Sequence, residues 1–303
     1  MSTNIELSKT RDFGEIISDT FLFIRENLVP LLKCFFIFCG FFMIASLILS
    51  YLQQAKVIGV MNDFKPINPD SYNSGEGTFR VFSKFFGVQY FLSFLFLFLD
   101  WTAVVITVIS YMAVYKTKGN IAATPEEVWA YVKYYFLKTS GSLLLVGMLL
   151  GIATVCCVIP GIYLYPILLL IFPIMIIENA SFGYAFSQSF RLIKENWWAT
   201  FGAMFVIGLI VYVLILFIVL PVSLITMGGM FLHPAKGLHV SPVLLMISTI
   251  IYTLAQVFYI LPLVTLTLCY FNLTELKDAT GLMSRINQLG NDGDNTNLPA
   301  EEY

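Results

Sequence analysis

The chain has 303 residues, of which 58% are hydrophobic and 12% are charged. Soluble domains average about 45–50% apolar and about 25% charged residues, so 17 basic and 19 acidic residues are too few to cover a water-soluble protein of this size. The formal net charge of −2 excludes the basic excess typical of nucleic-acid binding, and we predict no nucleic-acid partner.

The N-terminal residues 1–18 are polar and contain no apolar run before the first charges. We therefore expect no secretory signal, and the first membrane span must itself direct insertion. The five cysteines lie in apolar stretches and form no CxxC pair, so we expect neither a disulfide framework nor a zinc site.

Long apolar windows locate the membrane spans, because about 20 apolar residues are needed to cross about 30 Å of hydrocarbon. Five windows carry no charge or a single one: 34–55, 85–115, 139–177, 196–235 and 237–274. The third window is long enough for two spans, and Pro160 and Gly161 within it predict a tight type II turn. We therefore predict an all-α integral membrane protein with six transmembrane helices.

Lysine and arginine in the connections predict the orientation, because they stay on the cytoplasmic side more often than not. With the N-terminus inside, that side holds twelve basic residues: Lys9, Arg11, Arg25, Lys33, Lys116, Lys118, Lys133, Lys138, Arg191, Lys194, Lys277 and Arg285. The other side holds five: Lys56, Lys65, Arg80, Lys84 and Lys236. We predict that both termini are cytoplasmic and that residues 53–80 form a polar external loop.

An internal repeat is visible where residues 13–27 are laid over residues 182–196, with seven identities in fifteen positions. A weaker third copy, residues 124–138, begins with an N-cap threonine, proline at N1 and glutamate at N3. Helices with polar and basic groups on one side and aromatic groups on the other lie in the membrane interface. The alternative is that every transition from loop to membrane selects similar residues.

We therefore predict three repeats, each an interfacial amphipathic helix followed by a helical hairpin. The repeat units are about 12–115, 124–178 and 181–275, within a single membrane domain, 1–285. Residues 286–303 are predicted to form a polar, disordered cytoplasmic tail. Asn27 and Asn196 end the two strongest copies, and we expect both to adopt the left-handed C-cap conformation.

The run Ile159-Pro160-Gly161-Ile162-Tyr163-Leu164, followed by Pro173, Glu178 and the segment 189–198, resembles the membrane domain attached to some glycerophosphodiester phosphodiesterases, and its free-standing bacterial relatives. The resemblance covers roughly residues 10–285. In that family the membrane domain is separate from the catalytic domain. The resemblance therefore implies a multi-pass protein of the bacterial inner membrane without implying hydrolase activity.

Asp100 is the one ionisable residue inside a clear predicted span. A charge at the centre of a bilayer costs about 3 kcal/mol or more, so a functional role is one interpretation. The other is that the span begins near Phe96, which places Asp100 close enough to the outer interface to reach water.

Glu178 ends the predicted fourth span, where it either pairs with Arg191 or Lys194 or forms a solvated helix end. Pro166 and Pro173 remove backbone donors within that span. They predict either an ordinary kink or a broken helix of the kind that transporters use at substrate sites.

Four basic residues are candidates for binding lipid phosphates at the inner surface: Arg25, Lys133, Arg191 and Lys194. Each contributes about 1 kcal/mol beside anionic lipid, although positive-inside topology alone also accounts for them. His233 and His239 fall in a predicted external loop without a carboxylate or thiol nearby, and we predict no metal site there.

No hydrolase, metalloprotease or P-loop motif occurs, so we predict that the chain is not an enzyme and uses no cofactor. The leading hypothesis is a noncatalytic inner-membrane module that binds lipids, expected to be anionic, or a membrane-protein partner. The alternative is a small-solute or lipid transporter that uses Asp100 and the proline-bearing fourth span. A transporter needs a continuous polar cavity that reaches Asp100, whereas the module does not.

Overall fold

Six helical segments of the computed structural model are long and apolar enough to cross a membrane. The structure describes residues 5–63, 87–232 and 241–278, and within these ranges the chain forms helices and no strand. The prediction of an all-α membrane protein with six transmembrane helices is confirmed. The segments are Phe13–Gly59, Val88–Thr117, Pro125–Cys156, Val158–Ile177, Trp197–Ile225 and Pro242–Asp278.

The fourth span is divided between two helices, the sixth consists of two α-helices joined by a 3-10 helix, and a short helix, α6, precedes the fifth. The bounds are α1 Phe13–Asp63, α2 Val88–Thr117, α3 Pro125–Cys156, α4 Val158–Leu169, α5 Ile171–Ile177, α6 Phe182–Ile193, α7 Trp197–Leu232, α8 Pro242–Leu254, a 3-10 helix Ala255–Tyr259, and α9 Ile260–Asp278. The predicted loop 53–80 begins too early, because α1 continues as helix to Asp63. The rest of that loop, both histidines and the C-terminal tail lie outside the described residues.

Helices α1, α3 and α6 begin with side chains that satisfy their first backbone N–H groups. Asp12 and Glu15 exchange side chain to backbone hydrogen bonds of 2.7 and 3.0 Å at the start of α1. Thr124 and Glu127 form the predicted capping box, with Pro125 at N1. Ser181 caps α6 by accepting from the backbone N–H of Tyr184. The three predicted copies therefore share their starting position.

The same three helices bury the same positions of the aligned copies. The fourth, eighth and eleventh residues after each cap are buried, and these positions lie on one face of an α-helix. They are Ile16, Thr20 and Phe23 in α1, Val128, Val132 and Tyr135 in α3, and Ala185, Ser189 and Leu192 in α6. This agreement is what the repeat hypothesis expects, and the repeat itself stays a prediction.

The copies at 13–27 and 124–138 differ from the prediction, because each continues into its span without a break in the helix. The prediction that Asn27 and Asn196 are left-handed is wrong, because positive φ in described non-glycine residues occurs at Asn120 and Asn179. Asn27 is buried inside α1, where its Oδ1 accepts a 2.9 Å hydrogen bond from the Tyr111 hydroxyl. Asn27 thus forms a hydrogen bond to α2 and does not end a helix.

Helix α1 packs against α9 near its start and against α2 both before and after Pro30. Thr20 Oγ1 lies 3.1 Å from Thr265 Oγ1 of α9. Asn27 contacts Tyr111, and farther along α1 Cys39 Sγ lies 3.8 Å from Thr107 Oγ1, so α1 and α2 run antiparallel. Pro30 lies inside α1, where proline removes a backbone hydrogen bond and favours a bend.

Three helical segments, α2, α4–α5 and α9, form the inside of the bundle, while α1, α3 and α7 lie around them. The inner segments contact one another. They also contain long runs in which every residue is buried, namely 102–115 in α2, 171–176 in α5 and 264–273 in α9. Each inner segment follows an outer helix in the sequence, as the hairpins of the predicted repeat require.

The hairpin between the third and fourth spans turns at Cys157, a single extended residue, and the predicted turn at Pro160 and Gly161 is wrong. Both residues lie in the first turn of α4, where a helix does not need the N–H that proline lacks. A Cβ on Gly161 would lie 2.5 Å from Thr154 Oγ1 and 3.2 Å from Thr154 Cα. Gly161 is thus required by the close approach of α3 and α4.

The fourth span is interrupted at Leu170, between Pro166 and Pro173. Pro173 has no N–H to donate to the carbonyl of Leu169, the last residue of α4. Leu170 N still donates to Pro166 O over 3.3 Å, so one irregular residue separates two helices. The two prolines therefore coincide with a kink at one residue, Leu170, whose backbone angles stay in the helical region.

Candidate membrane-interface and intramembrane sites

One end of the bundle brings together the starts of α1 and α3, the end of α2, the connection between α5 and α6, and the end of α9. Three hydrogen bonds join these parts: Arg11 N to Asn272 Oδ1 (2.7 Å), Tyr270 Oη to Glu178 Oε1 (2.8 Å) and Tyr135 Oη to Asn179 Oδ1 (2.8 Å). Lys116 of α2 lies at this end, with its Nζ 4.6 Å from the centre of the Phe271 ring.

We name this end the basic end, because nearly all described lysines and arginines lie there. They are Lys9, Arg11, Arg25, Lys33, Lys116, Lys118, Lys133, Lys138, Arg191, Lys194 and Lys277. Lys56 lies toward the opposite end of α1. The asymmetry found in the sequence therefore corresponds to one end of the folded bundle.

The four candidate phosphate-binding residues, Arg25, Lys133, Arg191 and Lys194, are exposed and form no ion pair with any described residue. Three of them lie four residues from large apolar side chains that are also exposed. These interface stripes are Phe21-Arg25-Val29, Trp129-Lys133-Leu137 and Lys194-Trp198. The exposed fractions of Leu137 and Trp198 are 83% and 79%, so most of each side chain faces away from the protein.

Other basic residues at this end have structural partners. Lys118 Nζ lies 3.0 Å from Glu127, and Lys9 Nζ lies 3.0 Å from Asp19. Arg11 is buried, and its guanidinium donates to Asp19 Oδ2 over 2.9 Å and to the Leu7 carbonyl over 2.7 Å. Arg11 thus holds the N-terminal segment against the end of the bundle. The sequence did not predict this role, because backbone carbonyl acceptors cannot be recognised from the identity of the residues that carry them.

Glu178 does not form the predicted ion pair with Arg191 or Lys194. Its Oε1 accepts the hydrogen bond from Tyr270, and its charge interacts with Lys116 of α2. The prediction considered cations close in sequence, whereas α2 and α9 bring these partners from distant positions. Glu178 therefore connects the ends of the three inner segments.

Asp100 is buried in the protein, with an exposed fraction of 1%. The side chain of Gln256, from the 3-10 helix, is the polar neighbour of this carboxylate. Asp100 Oδ1 and Gln256 Oε1 have no partner among the described residues. The carboxylate is therefore held between α2 and the 3-10 helix rather than directed to water.

An aromatic pair lies beside this polar pair. Trp101 follows Asp100 in the sequence, and its ring centroid lies 4.6 Å from that of Tyr259 in the 3-10 helix. Both rings line a cavity of about 490 Å³ whose other walls are mainly aliphatic and aromatic, and Asp100 is not among its lining residues. The carboxylate of Asp100 therefore does not contribute to the wall of this cavity.

Within the described ranges, no group of three or more histidine, cysteine, aspartate or glutamate residues is placed to hold a metal ion. No protein-family model, no curated protein and no solved structure matches this chain. The resemblance to the glycerophosphodiester phosphodiesterase membrane domain therefore stays a prediction.

Proposed function

We propose that the chain is a noncatalytic multi-pass membrane module that binds anionic phospholipid at the basic end. The proposal is carried by the interface stripes, in which an exposed basic residue lies between or beside exposed large apolar side chains. Apolar groups of this kind enter the acyl region, while a neighbouring lysine or arginine extends its charge to the phosphate level.

The contribution of each charge is small. A basic residue beside an anionic membrane surface contributes about 1 kcal/mol, so Arg25, Arg191 and Lys194 together contribute at most about 3 kcal/mol. Glu26 and Glu195 directly follow two of these residues and reduce the net attraction. Phosphate contacts at individual basic side chains, rather than the total charge of the basic end, must therefore provide the preference.

The proposal includes an orientation and a location. The basic end faces the cytoplasm, which agrees with the preference of lysine and arginine for that side. The resemblance to the phosphodiesterase membrane domain supports the bacterial inner membrane as the location. A membrane-protein partner would use the same exposed apolar side chains of the interface stripes.

The test is the binding of phosphatidylglycerol to the purified full chain in zwitterionic nanodiscs. The triple variant Arg25→Gln, Arg191→Gln, Lys194→Gln is expected to bind it more weakly by up to about 3 kcal/mol, or roughly 100-fold. The matched control is the charge-conserving triple Arg25→Lys, Arg191→Lys, Lys194→Arg, which should retain most of the binding. Equal affinity in the wild type and the neutralised triple would refute the proposal.

A second candidate function is transport of a small solute or lipid, which the buried carboxylate of Asp100 favours. Intramembrane ionisable residues that face protein commonly mark ion pathways. The proline kink in the fourth span favours neither function, because such kinks also occur in membrane helices without transport. The apolar lining of the cavity beside Trp101 and Tyr259 favours the lipid-binding module over this alternative. Loss of a cellular function in a folded Asp100→Asn variant would instead favour transport.

A further inference from the structure

A cavity of about 490 Å³ lies between α7 and the three inner segments. The walls come from α2 with Val105, from α4 and α5 with Leu169 and Phe172, and from α9 with Leu263 and Leu266. Ligand pockets in proteins have volumes of about 300–1,000 Å³, so the space is large enough for a ligand.

The cavity is long. Helix α7 contributes residues 204, 208, 211, 212 and 215, which form one stripe along the helix. With a rise of 1.5 Å per residue, this stripe is about 16 Å long.

The lining is apolar and lies within the spans. No charged residue contributes to the walls, and the polar groups are tyrosine hydroxyls and the Trp101 indole. Tyr165 of α4 and Tyr212 of α7 line the cavity and are also exposed, so the cavity opens between these helices toward the surrounding membrane. The acyl chains of the surrounding lipids can therefore enter the cavity directly.

Physical arguments favour hydrocarbon as the occupant. Water is disfavoured along the aliphatic walls, because it finds few hydrogen-bond partners there. An empty cavity forfeits dispersion contacts along its whole wall. In a bilayer, helices associate through packing and not through a hydrophobic effect, so an unfilled space of this size is not compensated. A linear acyl chain matches the length of the cavity and the chemistry of its walls.

We propose that this cavity binds one acyl chain of a membrane lipid, which enters between Tyr165 and Tyr212. Gly208 makes room for the chain, since a Cβ added there would meet no atom within 4 Å. The site is separate from the interface stripes and does not depend on lipid charge. The two proposals can therefore fail independently.

The test uses the full chain in phosphatidylcholine bilayers that contain a phosphatidylcholine with a diazirine in the middle of one acyl chain. After illumination, mass spectrometry maps the labelled residues. We expect label on Val105, Phe172 and Leu266, which are buried in the protein and accessible only from the cavity. Label on the exposed Phe205 of α7 reports ordinary contact with the bilayer.

The variant Gly208→Phe fills the cavity and should abolish label on the three buried residues while Phe205 stays labelled. The matched control is Gly147→Phe on α3, an exposed position where a Cβ also meets no atom within 4 Å, and it should leave the pattern unchanged. Gly208→Leu, a smaller change, should reduce the buried label if Gly208→Phe fails to fold. Label confined to exposed residues in the wild type, or unchanged buried label in a folded Gly208 variant, would overturn the proposal.

Discussion

Replacing Asp100 by asparagine is predicted to stabilise the folded chain. The native carboxylate is buried, and its polar neighbour is the Gln256 side chain. The opposing acceptor, Gln256 Oε1, has no partner among the described residues. Asparagine has nearly the same shape as aspartate, and its NH₂ group can donate to Gln256 Oε1 while its oxygen accepts from the Gln256 amide.

The expected gain follows from two contributions. An ionised aspartate in the hydrocarbon region costs about 3 kcal/mol. The contact with the Gln256 side chain offsets part of this cost. Satisfying a buried acceptor contributes about 1–3 kcal/mol. We therefore expect Asp100→Asn to raise the free energy of unfolding by about 1–3 kcal/mol.

The assay is denaturant unfolding in detergent micelles at mildly alkaline pH, where carboxylates in water are ionised. Asp100→Leu is the control, because leucine removes the charge but leaves both polar groups of the Gln256 amide unpaired, so it should stabilise less than Asp100→Asn. A lower stability of Asp100→Asn than of the wild type would refute the reasoning, since it would mean that the ionised carboxylate stabilises the native state.

Two further predictions concern packing and orientation. Gly161→Ala should lower the free energy of unfolding by about 1–3 kcal/mol, because its Cβ would lie 2.5 Å from Thr154 Oγ1. Gly147→Ala has open space around the added Cβ and should be neutral or stabilising, so equal thermal unfolding of the two variants would contradict the close packing of α3 and α4. In a cysteine-free background, a single cysteine at Ser74 should react with an impermeant reagent outside the cell, and one at Asn291 should be protected. The reverse labelling would overturn the orientation.

The positions of the six spans could be predicted from sequence because charge is excluded from hydrocarbon. Long windows without charge therefore mark the spans whatever the helices later contact. The start of α3 was also predictable, since the capping box of Thr124 and Glu127 is a local pattern with a local cause. Structural features that are set by residues close in sequence could thus be predicted.

Structural features that are set by residues distant in sequence could not be predicted. The nearest cations to Glu178 along the chain are Arg191 and Lys194, yet its hydrogen-bond partner, Tyr270, comes from α9. Whether Asp100 reaches water could not be decided from its place in the span, because its burial depends on how the 3-10 helix packs beside α2.

The prediction of a hairpin turn at Pro160 and Gly161 was wrong for a different reason. Proline followed by glycine is common in turns, but the same pair also suits the first turn of a helix, where proline loses no hydrogen bond. At Gly161 the close approach of Thr154 requires glycine, and no turn conformation is involved. A single local pattern thus has two structural causes, and packing selects between them.

The lipids that remain with the wild-type chain after extraction from its own membrane test the central proposal most directly. Native mass spectrometry of the full chain in mild detergent identifies these lipids and compares them with the bulk membrane. We expect anionic phospholipid to be enriched in the bound fraction and to be lost selectively from the triple variant Arg25→Gln, Arg191→Gln, Lys194→Gln. A bound fraction with the composition of the bulk membrane, unchanged in the triple variant, would contradict lipid recognition at the basic end.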